Sequence, residues 1–205
     1  MFGLHRVLHG GADRGRRRRL SAGASVHILH TGYVTDDAVA GTVSLILDGD
    51  SRLIVDPGMV HGPEAILAPL TGLEVESGHM THVLLTHHHP DHTLNVALFQ
   101  NAEVVDFWAR YRRDVWLDHE GEGYRPSPHV SLLLTPGHTN EDVTWLAETD
   151  DGVVAFTHAW WHGDRTPELD PLADDQEALE TSRQRILTSA DLVVPAHGAP
   201  FHTNR

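Results

Sequence analysis

Val83-Leu84-Leu85-Thr86-His87-His88-His89-Pro90-Asp91-His92 joins a short apolar run to a dense set of potential metal ligands, ahead of the helical-looking Leu94-Asn95-Val96-Ala97-Leu98-Phe99. In extended backbone alternate side chains share a face, so His87 and His89 can converge on one ion while His88 points away. Asp91 and His92, at the turn into a helix, then swing toward a neighbouring ion. Imidazole plus carboxylate is the ligand set of Zn²⁺ and other borderline divalent ions. A histidine-rich surface loop is the competing reading, but it does not explain why the cluster begins where a buried strand ends.

Working outward, the same arrangement recurs. Val130-Ser131-Leu132-Leu133-Leu134 leads through Thr135-Pro136-Gly137 to His138; Gly152-Val153-Val154-Ala155-Phe156-Thr157 leads to His158; Leu192-Val193-Val194-Pro195-Ala196 leads to His197. Apolar strands that each end at a candidate ligand imply strand ends facing one cleft. Upstream, Val26–Leu29, Thr42–Leu47 and Arg52–Val55 read as strands, with Asp48-Gly49-Asp50 as a hairpin turn. The last of these ends in Asp56-Pro57-Gly58, a carboxylate held by a rigid turn, read either as a plain turn residue or as an acceptor that orients a ligand histidine. Helices are expected within 63–70, over 91–100, and over 174–188, where Leu179, Ile186 and Leu187 mark an apolar face. Residues 108–128 are charged, Gly-bearing and irregular, and read as a lid or outer loop.

The chain has 205 residues, 40% hydrophobic and 21% charged, enough for one domain with a sizeable core. Residues 1–24, with Gly10-Gly11, Gly15 and Arg16-Arg17-Arg18-Arg19, read as a flexible basic arm. The single domain is expected over 25–205. The segment after the arginines is too polar and short for a secretory core, and no apolar stretch is long enough for a membrane span. A formal net charge of −14 disfavours non-specific attraction to nucleic acid. The absence of cysteine fits a cytoplasmic location and removes thiolate ligands. Histidine, at 18 residues, is the outlier, and only some of it can be ligating.

His87, His89, Asp91 and His92 match the His-x-His-x-Asp-His signature of the metallo-β-lactamase superfamily, which the chain resembles from about Val26 to Phe201. The strand ending in Asp56, the Pro-Gly-His-Thr at His138 and the strand-histidine-glycine at His197 and Gly198 follow in the family's order. Ser182-Arg183 through Ile186-Leu187 and on to Pro195–Phe201 looks like the branch called metallo-β-lactamase domain-containing protein 1. The resemblance implies an α+β fold, a four-layer αββα sandwich with a dinuclear site along one edge. It implies that His87, His89 and His138 hold the first ion, and Asp91, His92 and His197 the second. The family's bridging aspartate is replaced here by His158. A neutral imidazole offers one lone pair to one metal, so a weaker second ion, a bridge of hydroxide alone or a mononuclear site is expected. Asp164 is a distant substitute for the missing carboxylate. His158 is itself either a ligand or a hydrogen-bonded neighbour.

The expected cofactor is Zn²⁺, one or two ions, with Mn²⁺ or Fe²⁺ as alternatives. The resemblance implies that Asp91 both ligates and orients a metal-activated water, and the expected activity is hydrolysis of a small ester, thioester, lactone or related molecule. A phosphodiesterase or ribonuclease of the same fold, a mononuclear iron oxygenase and a non-catalytic metal-binding protein are the alternatives. A small-molecule substrate is expected, and the choice between monomer and homodimer stays open. Trp160 and Trp161, directly after His158, read either as a pocket wall or as core.

Overall fold

In the computed structural model, residues 23–205 are described; the basic arm read over residues 1–24 lies outside them except for Gly23 and Ala24. Ala24 is already buried and donates its N–H to the Glu148 carbonyl at 2.8 Å.

The chain begins with β1 (Ser25–His30), a small hairpin of β2 (Tyr33–Val34) and β3 (Val39–Ala40), then β4 (Val43–Asp48) and β5 (Ser51–Val55). Helix α1 (Glu64–Gly72) crosses over to β6 (His82–Leu84), and the one-turn helix α2 (Pro90–Thr93) leads to β7 (Glu103–Val105). A hairpin of β8 (Arg110–Arg112) and β9 (Val115–Leu117) completes a seven-stranded sheet in the order β1-β4-β5-β6-β7-β8-β9. The second half gives β10 (Val130–Leu134), β11 (Val143–Thr149), β12 (Gly152–Thr157), helix α3 (Gln176–Ser189), β13 (Leu192–Pro195) and β14 (Phe201–His202). These strands form a five-stranded sheet in chain order.

Continuous apolar runs arise because both faces of the central strands are covered. In β4, Val43 and Leu45 face α1 while Ile46 faces the other sheet; in β5, Ile54 faces α1 while Leu53 and Val55 face inward. In β12, Val154 and Phe156 meet the first sheet while Ala155 packs under Leu179 and Ile186 of α3. The layers are thus helix, sheet, sheet, helix, as the αββα expectation requires. Trp145, fully buried between the sheets, donates its indole N–H to the Leu85 carbonyl at 3.1 Å, and Val143 N–H donates to the Thr86 carbonyl at 2.9 Å. These bonds dock the second sheet against the strand end that delivers the histidine cluster.

Two expectations are corrected. The helix read over 91–100 is one turn of α2 followed by a 3₁₀ turn at Val96–Leu98. Asn95 donates its backbone N–H to Pro57 and its side-chain amide to Gly58, which diverts the helix toward the Asp56 turn. Residues 108–128, read as irregular and as a lid or outer loop, carry the β8–β9 hairpin at the sheet's outer edge and then an irregular connection back to β10.

Candidate metal centre

All the cluster residues come from loops at one end of the two sheets. The turn after β6 supplies His87 and His89, and α2 supplies Asp91 and His92. His138, His158 and His197 follow β10, β12 and β13. The structure therefore brings together His87, His89, Asp91, His92, His138, His158 and His197.

Their atoms are spaced as ligands of common ions would be. His89 Nδ1 lies 3.1 Å from His87 Nε2 and 3.2 Å from His138 Nε2. Asp91 Oδ2 lies 3.4 Å from His92 Nε2 and 3.5 Å from His197 Nε2. Tetrahedral Zn²⁺, with ligands ~2.0–2.1 Å away, holds neighbouring ligand atoms ~3.3–3.4 Å apart. Both triads fit that geometry. His158 Nδ1 is buried with no hydrogen-bond partner.

His158 stacks on His138, with ring centroids 3.8 Å apart, and its Nε2 lies 3.3 Å from His197 Nε2. It occupies the middle of the cluster. Asp164 does not replace the missing aspartate: it is exposed and caps its own turn, accepting from Thr166 Oγ1 at 2.6 Å.

The outward nitrogens are held. Asp56 accepts from Thr86 N at 2.8 Å, Thr86 Oγ1 at 2.7 Å and His92 Nδ1 at 2.9 Å, so its orienting role is the one the structure shows. His197 Nδ1 donates to the Ala40 carbonyl at 2.9 Å, and His138 Nδ1 to Asp170 Oδ2 at 2.8 Å. Such bonds fix the tautomer and leave the opposite lone pair aimed at the cluster. Asp91 is held through its carbonyl, which accepts from Gly41 N and Met59 N, each at 3.1 Å. Gly58 is required there, because a Cβ would lie 1.7 Å from that oxygen.

Charge is distributed unevenly. Burial, then the neighbouring histidines, hold His87 and His158 far below the ordinary imidazole value, so both are neutral lone-pair donors. Burial likewise lowers His197 to about 4. For His92 burial is outweighed by the attraction and hydrogen bond of Asp56, followed by Asp91, and its pKa rises to about 9. Asp91 falls to about 2, its burial overcome by the hydrogen bond and charge of His92. Without metal, His92 is thus an imidazolium clamped between two carboxylates.

The cluster floors a cleft of about 260 Å³ whose other walls are Val34 and Val39 of the β2–β3 hairpin, Trp161 and Leu172. The two tryptophans split: Trp160 is buried against Phe201 and under Arg183, whereas Trp161 lines the cleft. Arg183 braces the loop that carries them by donating to the carbonyls of Ala159, Pro167 and Glu168, and Ser182 Oγ donates to Pro136 beside His138. His88 points away, stacked on Trp108 and bonded to Asp106 at 3.0 Å, which raises its pKa. His162 stays at the periphery against the His197 carbonyl.

Sequence reading missed Asp170 and the Val34/Val39 wall. Asp170 sits before a proline in an irregular loop, the setting of an ordinary turn residue. The hairpin strands are two residues each, too short for periodicity to register.

A sequence model of the metallo-beta-lactamase superfamily matches residues 36–198. The chain belongs to the metallo-beta-lactamase superfamily. Metallo-beta-lactamase domain-containing protein 1 of Xenopus laevis is 31% identical over 189 residues, covering 86% of this chain and 81% of that protein, which supports the same branch. Among solved structures, a metallo-beta-lactamase relative from Thermotoga maritima superposes with a TM-score of 0.69 at 23% identity, over 88% of this chain and 99% of that one. An N-acyl homoserine lactone hydrolase, solved with N-hexanoyl-L-homoserine at its catalytic metal centre, gives a TM-score of 0.63 at 16% identity, over 87% and 94%. By family and by its histidine and aspartate cluster, this metallo-beta-lactamase-fold protein is a hydrolase. Among the described residues, no helix is long and apolar enough to cross a membrane.

Proposed function

We propose that the chain is a zinc-dependent hydrolase of a small ester, thioester or lactone. His87, His89 and His138 hold one ion, and Asp91, His92 and His197 the other. His158, within 3.3 Å of His197, contributes its lone pair on the side of the second group. The observation that carries this reading is the spacing of two ligand triads on the floor of one small cleft. Bound zinc supplies a water of lowered pKa and polarises a substrate carbonyl.

The chain's own residues orient the reaction. Asp91, ionised and facing the cleft, accepts a hydrogen bond from the attacking water and fixes its direction. Asp56 holds His92, and Ala40 holds His197, so the second triad keeps its geometry. Val34, Val39, Trp161 and Leu172 offer an apolar wall to the acyl part of a substrate and exclude water from it. Among the described residues, no arginine lines this cleft, which favours an uncharged acyl substrate over a phosphodiester.

The test is elemental analysis of the purified chain, together with hydrolysis of ester, thioester, lactone and phosphodiester panels by wild type and Asp91→Ala. Zinc with acyl-ester turnover that vanishes in Asp91→Ala supports the reading. No bound metal, or undiminished turnover in Asp91→Ala, refutes it. Iron with oxygen uptake would point instead to oxygenase chemistry.

A further inference from the structure

We propose that Asp170 is a positioning residue that serves both the metal centre and the cleft wall. Its Oδ2 accepts two hydrogen bonds, from His138 Nδ1 at 2.8 Å and from the Trp161 indole N–H at 3.1 Å. Its Oδ1 accepts the Leu172 N–H at 2.9 Å, and its own N–H donates to Gln176 Oε1 at 3.0 Å at the start of α3. The side chains of Asp170 and His138 are each 1% exposed, so water cannot substitute for the bond between them.

The donor inventory makes the carboxylate irreplaceable. Three N–H groups converge on its two oxygens, and a carboxylate is the side chain that accepts on both. An asparagine must turn its NH₂ either toward His138 and Trp161 or toward Leu172, opposing donor to donor. In the first case His138 relieves the clash by moving its proton to Nε2, the atom that faces His89 and the metal position. The carboxylate therefore keeps the Nε2 lone pair free, and the same oxygen holds the indole that lines the cleft. Ligand and wall move together because they share one acceptor.

The inference rests on the reading that His138 holds a metal. It is tested by zinc affinity, measured by competition with a chromophoric chelator, for the full-length wild type, Asp170→Asn and Trp161→Phe. Removing the orienting partner of a ligand histidine costs about 10–100-fold in metal affinity, and that loss is expected for Asp170→Asn. Trp161→Phe removes only the indole donor, and its affinity should stay within about twofold of wild type by the same argument. Equal affinity in Asp170→Asn, or an equal loss in both variants, overturns the proposal. Nitrogen-15 spectra of histidine-labelled, metal-free wild type give a second readout that a merely structural role would not move. His138 should carry its proton on Nδ1 and, in Asp170→Asn, shift toward Nε2. An Nε2-protonated His138 in wild type overturns the proposal even if the variant fails to fold. A wild type that takes up no zinc sinks the metal-centre reading as well, whereas zinc bound equally by wild type and Asp170→Asn sinks this inference alone.

Discussion

Asp142→Asn should stabilise the protein at neutral pH. Asp142 closes the loop that carries His138, accepting from Thr139 N at 2.9 Å and Thr139 Oγ1 at 2.6 Å. Burial raises its carboxyl from 3.8 to about 6, although the two Thr139 bonds pull the other way. A difference of about two pH units is worth ~3 kcal/mol, the cost of keeping this group ionised in the fold. Because the folded value is raised, the group's stabilising contribution is complete below about pH 4, declines as pH rises, and is gone above about pH 6. Asparagine preserves the shape: its oxygen accepts the Thr139 N–H while its NH₂ donates to Thr139 Oγ1. Urea unfolding of chelator-treated protein between pH 4 and 7.5 should find the variant more stable by about 2–4 kcal/mol at pH 7, with the difference closing toward pH 4. In thermal scans a gain of that size is ~4–16 °C for a chain of this length. A variant less stable than wild type at pH 7, or a difference independent of pH, would show that the buried charge does not cost what the geometry implies.

Asp91→Ala should lower kcat by at least about 100-fold in the ester assays, since it removes the group that orients the attacking water. His158→Asp should tighten the second zinc by at least about tenfold, because a carboxylate next to a cation outweighs a neutral imidazole; elemental analysis that finds the same zinc content in both proteins would count against this. Asp56→Ala leaves the Thr86 N–H without its acceptor and His92 with Asp91 as its remaining carboxylate, and urea unfolding of chelator-treated protein should show a loss of about 1–3 kcal/mol.

The parts of this molecule legible in its sequence are those whose signal is local. His87, His89, Asp91 and His92 lie within one turn-and-helix junction, and each remaining histidine follows an apolar run doubly buried between helix and sheet. What escaped depended on contacts between distant segments. Asp170 acquires its role only because α3, through Gln176 and Arg183, folds its loop back over His138. The end of α2 is set by Asn95 reaching the Asp56 turn, which no helical periodicity reveals. The β8–β9 hairpin was hidden because its strands lie at an edge, where Trp116 and Val115 are exposed and the alternation that marks a half-buried strand is absent.

The seven cluster residues are divided between the sheets, His87, His89, Asp91 and His92 on one side of the interface and His138, His158 and His197 on the other. Neither half of the polypeptide contains a complete triad of the first kind or of the second. Each triad therefore exists only where the two sheets meet, at the interface that the Trp145 indole bridges to the Leu85 carbonyl. A bound ion would thus tie the two sheets to each other through side chains that neither sheet supplies alone.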